Sequence, residues 1–398
     1  MANRDYSFKQ LLEMDACTGC LACADVCPAV MVSGDGRLSS AYRLGWQRRN
    51  FKARGGILRR LFGPGEPQQD HWEEFSQTVY RCTLCGNCQE VCPAGIHLRE
   101  MWLSLRSELV DKDAYPKKID AIRENLVESH NVFDEDNEDR TEWVEDLDDP
   151  PDHGFIKDTA QVVYFTGCVA SFFPLAQQIP IALAEILQAA GVDFTLLGED
   201  EWCCGFPLLG AGALDEAQKL IQHNLEAIRA KKAWDVVFAC PSCYQMFREH
   251  YPTGGLRLFH ATQYLEHLIT SGRLNFKPRR MKVTYHDPCD LGRGAREFEA
   301  PRRVIQALPG VELVEMERNR ENALCCGGGG NLEMIDKDLN AGIAQRKIEM
   351  ALATGAEAVI TSCQQCVRTM ATYTRRNKIP LKVMDITQLV RSRLDRQE

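Results

Sequence analysis

Three things are missing from this 398-residue sequence. The N-terminus, MANRDYSFKQLLEMDACTGC, has no basic segment leading into an apolar stretch, so a secretory signal is not expected. No run approaches 18 uninterrupted apolar residues, so no membrane-spanning helix is expected either. No flavin or nicotinamide fingerprint occurs, and the glycine-dense run CCGGGG (325–330) lacks the lysine and spacing of a P-loop. Its glycines are expected to let the backbone wrap a bulky group. The expected location is the cytoplasm, with the cytoplasmic face of a membrane as a peripheral docking place. Thiols stay reduced there, which sets how the cysteines are read.

Charge is scarce in a patterned way. The net charge of −9 is concentrated in residues 134–152, where eleven acids face one arginine, Arg140. The rest of the chain is close to neutral. Such a run reads as a solvated linker ending at Pro150-Pro151. Residues 36–65 show the opposite bias, with eight basic side chains and no acid. Arg37, Arg43, Arg48, Arg49, Lys52, Arg54, Arg59 and Arg60 alternate there with Tyr42, Trp46, Phe51 and Phe62. A basic, aromatic, partly helical stretch suits an anionic membrane surface or the cytoplasmic face of a membrane subunit. An ordinary protein contact or a solvated helix fits it equally well, and nothing else in the chain supports nucleic acid as a partner.

What the chain has in abundance is cysteine, eighteen in all. CTGCLACADVCP (17–28) and CTLCGNCQEVCP (82–93) each have the C-x2-C-x2-C-x3-C-P spacing of bacterial 4Fe–4S sites. Three closely spaced thiolates reach three corners of one cluster, and the fourth points away to close the other. Cys17, Cys20, Cys23 and Cys92 are therefore assigned to one cubane cluster, and Cys82, Cys85, Cys88 and Cys27 to a second. Structural zinc can also use four cysteines, but two copies of this spacing favour iron–sulfur.

The C-terminal half is a duplication. Cys168, Cys203-Cys204-Gly205 and Cys240-Pro-Ser-Cys243 recur as Cys289, Cys325-Cys326-Gly327 and Cys363-Gln-Gln-Cys366. The lead gaps are 34 and 35 residues, and so are the trailing gaps from glycine to CxxC. Each copy reads as α/β, with strands at QVVYFTGC, DVVFAC, MKVTYHDPC and EAVITSC that deliver cysteines just past their ends. Adjacent cysteines cannot easily take two corners of one tetrahedral zinc. Five per copy also exceed the four a zinc site needs, so an iron–sulfur assembly is favoured over zinc.

Two ferredoxin motifs followed by two CCG domains resemble the D-type iron–sulfur subunits of heterodisulfide reductase. The chain is also similar to the iron–sulfur subunits of glycolate oxidase and anaerobic glycerol-3-phosphate dehydrogenase. The resemblance covers nearly the whole chain. After the first motif, GDGRLSSAYRLGWQRR looks more like the heterodisulfide reductase pattern than the Pro-Arg-Gly pattern of glycolate oxidase subunits. The fold the resemblance implies is α+β. A mainly helical two-cluster ferredoxin domain (1–130, with the basic insert 36–65) leads through the acidic linker (131–158). Two duplicated α/β CCG domains follow (159–275 and 276–398).

The resemblance also implies a non-cubane 4Fe–4S cluster in each CCG domain. By position, Cys168, Cys203, Cys204, Cys240 and Cys243 would bind the first. Cys289, Cys325, Cys326, Cys363 and Cys366 would bind the second and form the catalytic end. The expected function is an electron-transfer oxidoreductase subunit that passes electrons from a flavoprotein or other donor subunit, through two cubanes, to a disulfide or thiol substrate. The alternative is a pure relay from a flavin-dependent dehydrogenase of lactate, glycolate, glycerol 3-phosphate or acyl-CoA type to quinone or a membrane cytochrome. Near the second set, His286 and Asp287 are candidates for a proton relay, against the plainer role of ordering a turn. Arg293 and Arg296 are candidates for holding an anionic substrate, against solvated surface.

Overall fold

The computed structural model describes residues 6–54, 69–147, 150–151 and 154–395, and of residues 52–54 only the backbone. These fall into two compact units that do not follow the chain. One gathers residues up to 121 with the short segments 207–214 and 327–343. The other holds 122–206, 215–326 and 344–398, and so contains most of both cysteine repeats.

The first unit is helical, with no strand among its described residues. Its N-terminal helix, Phe8–Ala16, starts at a capping box in which Ser7 and Gln10 satisfy each other's backbone N–H. Apolar residues at helical spacing bury one face of helix Leu98–Asp111, through Met101, Trp102, Leu105 and Leu109. Helix Gln69–Tyr80 contributes Trp72, Phe75 and Val79 to the same core.

The basic stretch is only partly a surface feature. Within helix Ser40–Arg54, the half-buried Trp46 stacks on Phe75 at 3.7 Å and meets Trp72 edge-on, so this aromatic packs on the core. Arg43 is buried, donating to the Thr78 carbonyl and lying over Trp102. Arg48 donates to the Cys17 carbonyl at 3.0 Å and pairs with Asp15. Helical periodicity sends every third or fourth residue inward, which a count of charges along the stretch overlooks. Arg59, Arg60 and Phe62 lie outside the described residues, as do the side chains of Lys52 and Arg54.

The second unit holds two four-stranded parallel sheets of identical order. Strands β1 (Val162–Phe165), β2 (Phe194–Thr195), β3 (Asp235–Phe238) and β4 (Arg257–His260) run β2-β1-β3-β4. Strands β5 (Met281–His286), β6 (Val311–Leu313), β7 (Ala358–Thr361) and β8 (Lys382–Asp385) run β6-β5-β7-β8. Val162, Val163, Tyr164 and Phe165 register against Asp235, Val236, Val237 and Phe238, all buried, as expected of a sheet covered on both faces.

The repeats share one hydrophobic core, with Tyr164, Leu183 and Val237 from the first and Tyr285, Ile360 and Leu389 from the second. Their packing is reciprocal. Helix Gln178–Ala189 of the first lies against Ile386–Arg391 of the second, with Arg391 paired to Glu185. Helix Ala261–Thr270 of the first lies against Glu299–Gln306 of the second, with Arg303 paired to Glu266. Two copies that exchange equivalent surfaces are arranged as an approximate two-fold pair.

The acidic stretch departs from the solvated-linker reading. Residues Asn137–Asp146 form a 3-10 helix that buries Arg140, Trp143 and Val144. Trp143, Val144 and Leu147 join the core shared by the repeats. Charge dominates the composition there, yet three apolar residues and one cation suffice to dock the segment.

Candidate metal centres

In the first unit the cysteines surround two cavities. One is lined by Cys27, Cys82, Cys85 and Cys88 together with Arg43 and Trp102. The other is lined by Cys17, Cys20, Cys23 and Cys92. The two loops turn alike. Gly19 and Leu21 (φ +71° and +66°) match Leu84 and Gly86 (φ +54° and +75°) in left-handed backbone. A leucine at positive φ is costly, and its recurrence in both loops marks a turn enforced by what the loop must hold. Burial pushes the Cys27 thiol up to about 11, against the pull of the Arg43 guanidinium.

The second unit contains one cysteine group per repeat, and no disulfide joins any cysteine among the described residues. In the first repeat, Cys168, Cys203, Cys204, Cys243 and Cys240 are close enough that neighbouring thiols shift one another's ionisation. All five are buried. Cys168 opens a short helix directly after β1, and Cys240 caps helix Pro241–His250 directly after β3. Between them, the Cys203-Cys204 loop is held by backbone contacts. Cys203 N–H donates to the His130 carbonyl at 2.7 Å, Asn224 donates to the Cys203 carbonyl, and Tyr251 Oη donates to the Cys204 carbonyl. Gly205 turns with φ +89°, and a Cβ there would approach Ala217 to 2.9 Å.

In the second repeat, Cys326 Sγ lies 3.2 Å from Cys366 Sγ, Cys363 Sγ accepts the Cys366 N–H at 3.4 Å, and Cys325 is near enough to shift the ionisation of Cys326. The fifth residue, Cys289, is half-buried, and its thiol faces the Asp290 carboxylate at 3.9 Å.

Such groups are a poor resting place for bare thiols. Mutual proximity and desolvation drive Cys168, Cys243 and Cys366 well above the usual thiol range, while Cys204 is lowered to about 6 by the neighbouring Cys203 and Cys243 thiols. Several sulfurs packed together in a buried site cannot all ionise without a cation among them. The donor set is soft and thiolate-rich, so it fits an iron–sulfur assembly, with zinc the other metal that takes such ligands.

The surroundings of the two groups differ. Beside Cys168 stands a buried ion pair, Arg140–Glu201, at 3.1 Å with both side chains 1% exposed. Arg140 Nη1 and Nη2 lie 4.0 and 3.9 Å from Cys168 Sγ. The Glu201 carboxylate accepts the Thr166 and Gly167 N–H groups, each at 2.7 Å. Beside Cys326, an imidazole nitrogen of His286 and the Cys326 and Cys366 sulfurs all lie within 4.8 Å of one another. Desolvation, with Lys347 nearby, holds His286 below its ordinary range. Lys347 is itself fully buried and lowered to about 8 by desolvation.

Two residues singled out from the sequence have plainer roles. Asp287 is clamped by Arg302 at 2.7 and 3.0 Å and also accepts the Arg320 N–H, so its carboxylate braces the loop. Arg293 is buried, not solvated, and its Nη1 donates to the Glu321 and Ala323 carbonyls just before Cys325. Arg296 is exposed.

The glycine run also has a closer contact than expected. Gly329 and Gly330 lie against the loop of the second ferredoxin motif, where a Cβ would come within 2.5 Å of the Thr83 carbonyl and 2.2 Å of the Cys82 carbonyl. Arg106, buried and unmarked by any motif, ties this region together. It donates to the Cys82 carbonyl at 2.8 Å, Val79 at 3.1 Å, Gly330 at 3.0 Å and also to Gly210.

Family models match both kinds of cysteine region. A model of a 4Fe-4S dicluster domain matches residues 13–96, and a cysteine-rich domain model matches twice, at 162–248 and 283–371. The D-type subunit of dihydromethanophenazine:CoB–CoM heterodisulfide reductase from Methanosarcina acetivorans is 38% identical over 393 residues, covering 96% of this chain and 94% of that protein. A probable membrane-anchored ferredoxin of Chromohalobacter salexigens is 31% identical, covering 98% of this chain and 61% of its own length. An EtfAB:quinone oxidoreductase of Syntrophomonas wolfei is 27% identical, covering 92% of this chain and 56% of its own.

Proposed function

The chain belongs to the family of iron–sulfur oxidoreductase subunits that includes the D-type subunits of heterodisulfide reductase, and we propose that it reduces a disulfide with electrons received from a partner protein. The observation that carries this reading is the pair of cysteine groups, one per repeat: five buried cysteines in the first, more than a zinc ion takes up, and four buried cysteines with the half-buried Cys289 in the second. In the proposed assignment Cys17, Cys20, Cys23 and Cys92 hold one cubane cluster, and Cys27, Cys82, Cys85 and Cys88 hold the other. Cys168, Cys203, Cys204, Cys240 and Cys243 hold one non-cubane cluster, and Cys289, Cys325, Cys326, Cys363 and Cys366 hold the second. When bound, these clusters supply one-electron carriers.

Cleaving a disulfide to two thiols takes two electrons and two protons. The electrons come from the partner, a flavoprotein or a quinone-linked protein. Cys289 is the least buried of the ten repeat cysteines, so the second group is the one a substrate sulfur reaches. His286 and Lys347 set nitrogen groups beside Cys326, while the Asp290 carboxylate lies beside Cys289. The Asp287–Arg302 clamp, with Glu315 on the other edge of the guanidinium, fixes the loop that presents it.

A second reading draws support from the likeness to EtfAB:quinone oxidoreductase. In it the chain is a relay between a flavoprotein and quinone, at the cytoplasmic face of a membrane. No described helix is long and apolar enough to cross a membrane, so such an association would be peripheral.

The test is anaerobic purification with partners, followed by iron analysis, EPR and a disulfide reductase assay. About sixteen irons per chain are expected for four 4Fe–4S clusters, with turnover of a mixed disulfide. Full iron content without turnover selects the relay. Zinc near two atoms per chain with little iron refutes both readings.

A further inference from the structure

Each repeat's CxxC segment reaches across to the other repeat's lead cysteine. Gln364 follows Cys363 directly and is fully buried. Its side chain turns away from its own cysteine group. Gln364 Nε2 donates to the Thr166 carbonyl at 2.7 Å, and Gln364 Oε1 accepts the Ala170 N–H at 3.2 Å. These two backbone groups bracket Cys168. In the other direction, Ser242 of Cys240-Pro-Ser-Cys243 donates to Asp290 at 2.6 Å, next to Cys289.

The bond to Ala170 answers a specific need. Cys168–Phe172 is a short helix whose N-cap is Gly167, and glycine has no side chain to satisfy the first-turn N–H groups. Gln364 supplies that cap from the opposite repeat, 194 residues away. The fit is close. Gly167 has φ +82°, and a Cβ on it would stand 3.3 Å from both Gln364 Oε1 and Cys243 Sγ.

We propose that Gln364 is a positioning residue for the first repeat's cysteine group, although it lies inside the second repeat's ligand motif. Ser242 does the reciprocal service through Asp290. The two groups are therefore built as one structure, each lead cysteine aimed by the other copy. The consequence for iron rests on the proposed cluster assignment, but the aiming of Cys168 does not.

The test uses the full-length chain in two states. In metal-free protein, alkylation of each cysteine by N-ethylmaleimide is followed by mass spectrometry for wild type, Gln364→Ala and Gln364→Glu. Losing a cap worth one or two kcal/mol corresponds to a roughly 5- to 30-fold faster labelling of Cys168, with Cys366 labelling as in wild type. Gln364→Glu keeps the acceptor for Ala170 and is expected to restore part of the protection. An unchanged Cys168 rate, or a larger change at Cys366, overturns the proposal.

In iron-loaded protein, Gln364→Ala is expected to lose the first-repeat EPR signal to a chelator at roughly tenfold lower concentration or less. Reference spectra come from Cys243→Ser and Cys366→Ser. Selective loss of the second-repeat signal overturns the proposal. If repeat signals are absent from wild type while the labelling result holds, the cluster assignment fails and the positioning role stands. Should Gln364→Ala not fold, Ser242→Ala must expose Cys289 selectively, and failure to do so counts equally against it.

Discussion

Replacing Arg140 by methionine is expected to cost about 3 kcal/mol or more, because it strands a buried carboxylate. Arg140 and Glu201 are each 1% exposed, and their 3.1 Å contact is supplemented by Asn137 Oδ1 at 3.0 Å and by the Phe172 ring 5.0 Å below the guanidinium. Breaking a buried pair from one side typically costs about 3–5 kcal/mol, whereas replacing both partners by well-packed neutral groups is often close to neutral. Glu201 keeps two amide donors after the change, which places the expected loss toward the lower end. The double variant Arg140→Met/Glu201→Gln retains an acceptor for those amides and is expected to recover about 2 kcal/mol of it. The assay is urea unfolding of metal-free protein in a double-mutant cycle. With iron bound as proposed, the single variant also removes N–H donors from the sulfur of Cys168, a proposed ligand, so the midpoint potential of the first-repeat centre is expected to fall. A single variant within about 0.5 kcal/mol of wild type, or a double variant as costly as the sum of its parts, would refute the reasoning.

Arg106→Met removes a donor from four buried carbonyls, of which Val79 keeps the Cys82 N–H, and an expected loss of about 3–5 kcal/mol should appear in thermal unfolding as a lowered Tm. Gly330→Ala drives a methyl group into the Cys82 carbonyl at a position with φ +64°. It is expected to lower iron retention at the cavity lined by Cys82, read by EPR, while the Cys17 site keeps its signal. His260 accepts the Thr262 N–H at Nδ1 as a helix N-cap, and desolvation lowers its pKa from 6.5 to about 3. A depressed folded-state pKa gives stability that is complete above about pH 6.5 and is lost as pH falls toward 3. Acidification from about pH 6.5 to 5 should therefore cost roughly 2 kcal/mol, and His260→Asn, which keeps an acceptor at the cap, should flatten that dependence in denaturant titrations.

Much of the fold is visible in local pattern. The β-branched runs at 162–165, 235–238 and 358–361 are strands, and their cysteines follow within a few residues, because a buried parallel strand needs such a run whatever surrounds it. The helical spacing through Met101, Leu105 and Leu109 likewise identifies a packed helix. Charge is a poorer guide to exposure. Arg43 and Arg140 belong to segments of extreme charge, yet both are buried beside cysteines. In each case the neighbours carry a counter-signal. Trp46 lies three residues from Arg43, and Trp143 lies three from Arg140, a spacing that puts aromatic and cation on one helical face.

Contacts made across the duplication are beyond local pattern. Gln364 meets Thr166 and Ala170 at separations of 198 and 194 residues, and no periodicity announces it. Yet the duplication contains a clue of a different kind. Two copies of one site should spend identical residues on identical tasks, and these copies do not: CPSC faces CQQC, and TGC faces HDPC. The differences are paired. Where the first repeat has a bare Gly167 before its lead cysteine, the second has a long amide in its CxxC to reach it. Where the second has Asp290 after its lead cysteine, the first has a short hydroxyl, Ser242, to meet it. These two departures from symmetry are each matched by the copy across the interface, so the asymmetric residues of a duplicated metal site are the ones to test first for contact with its twin.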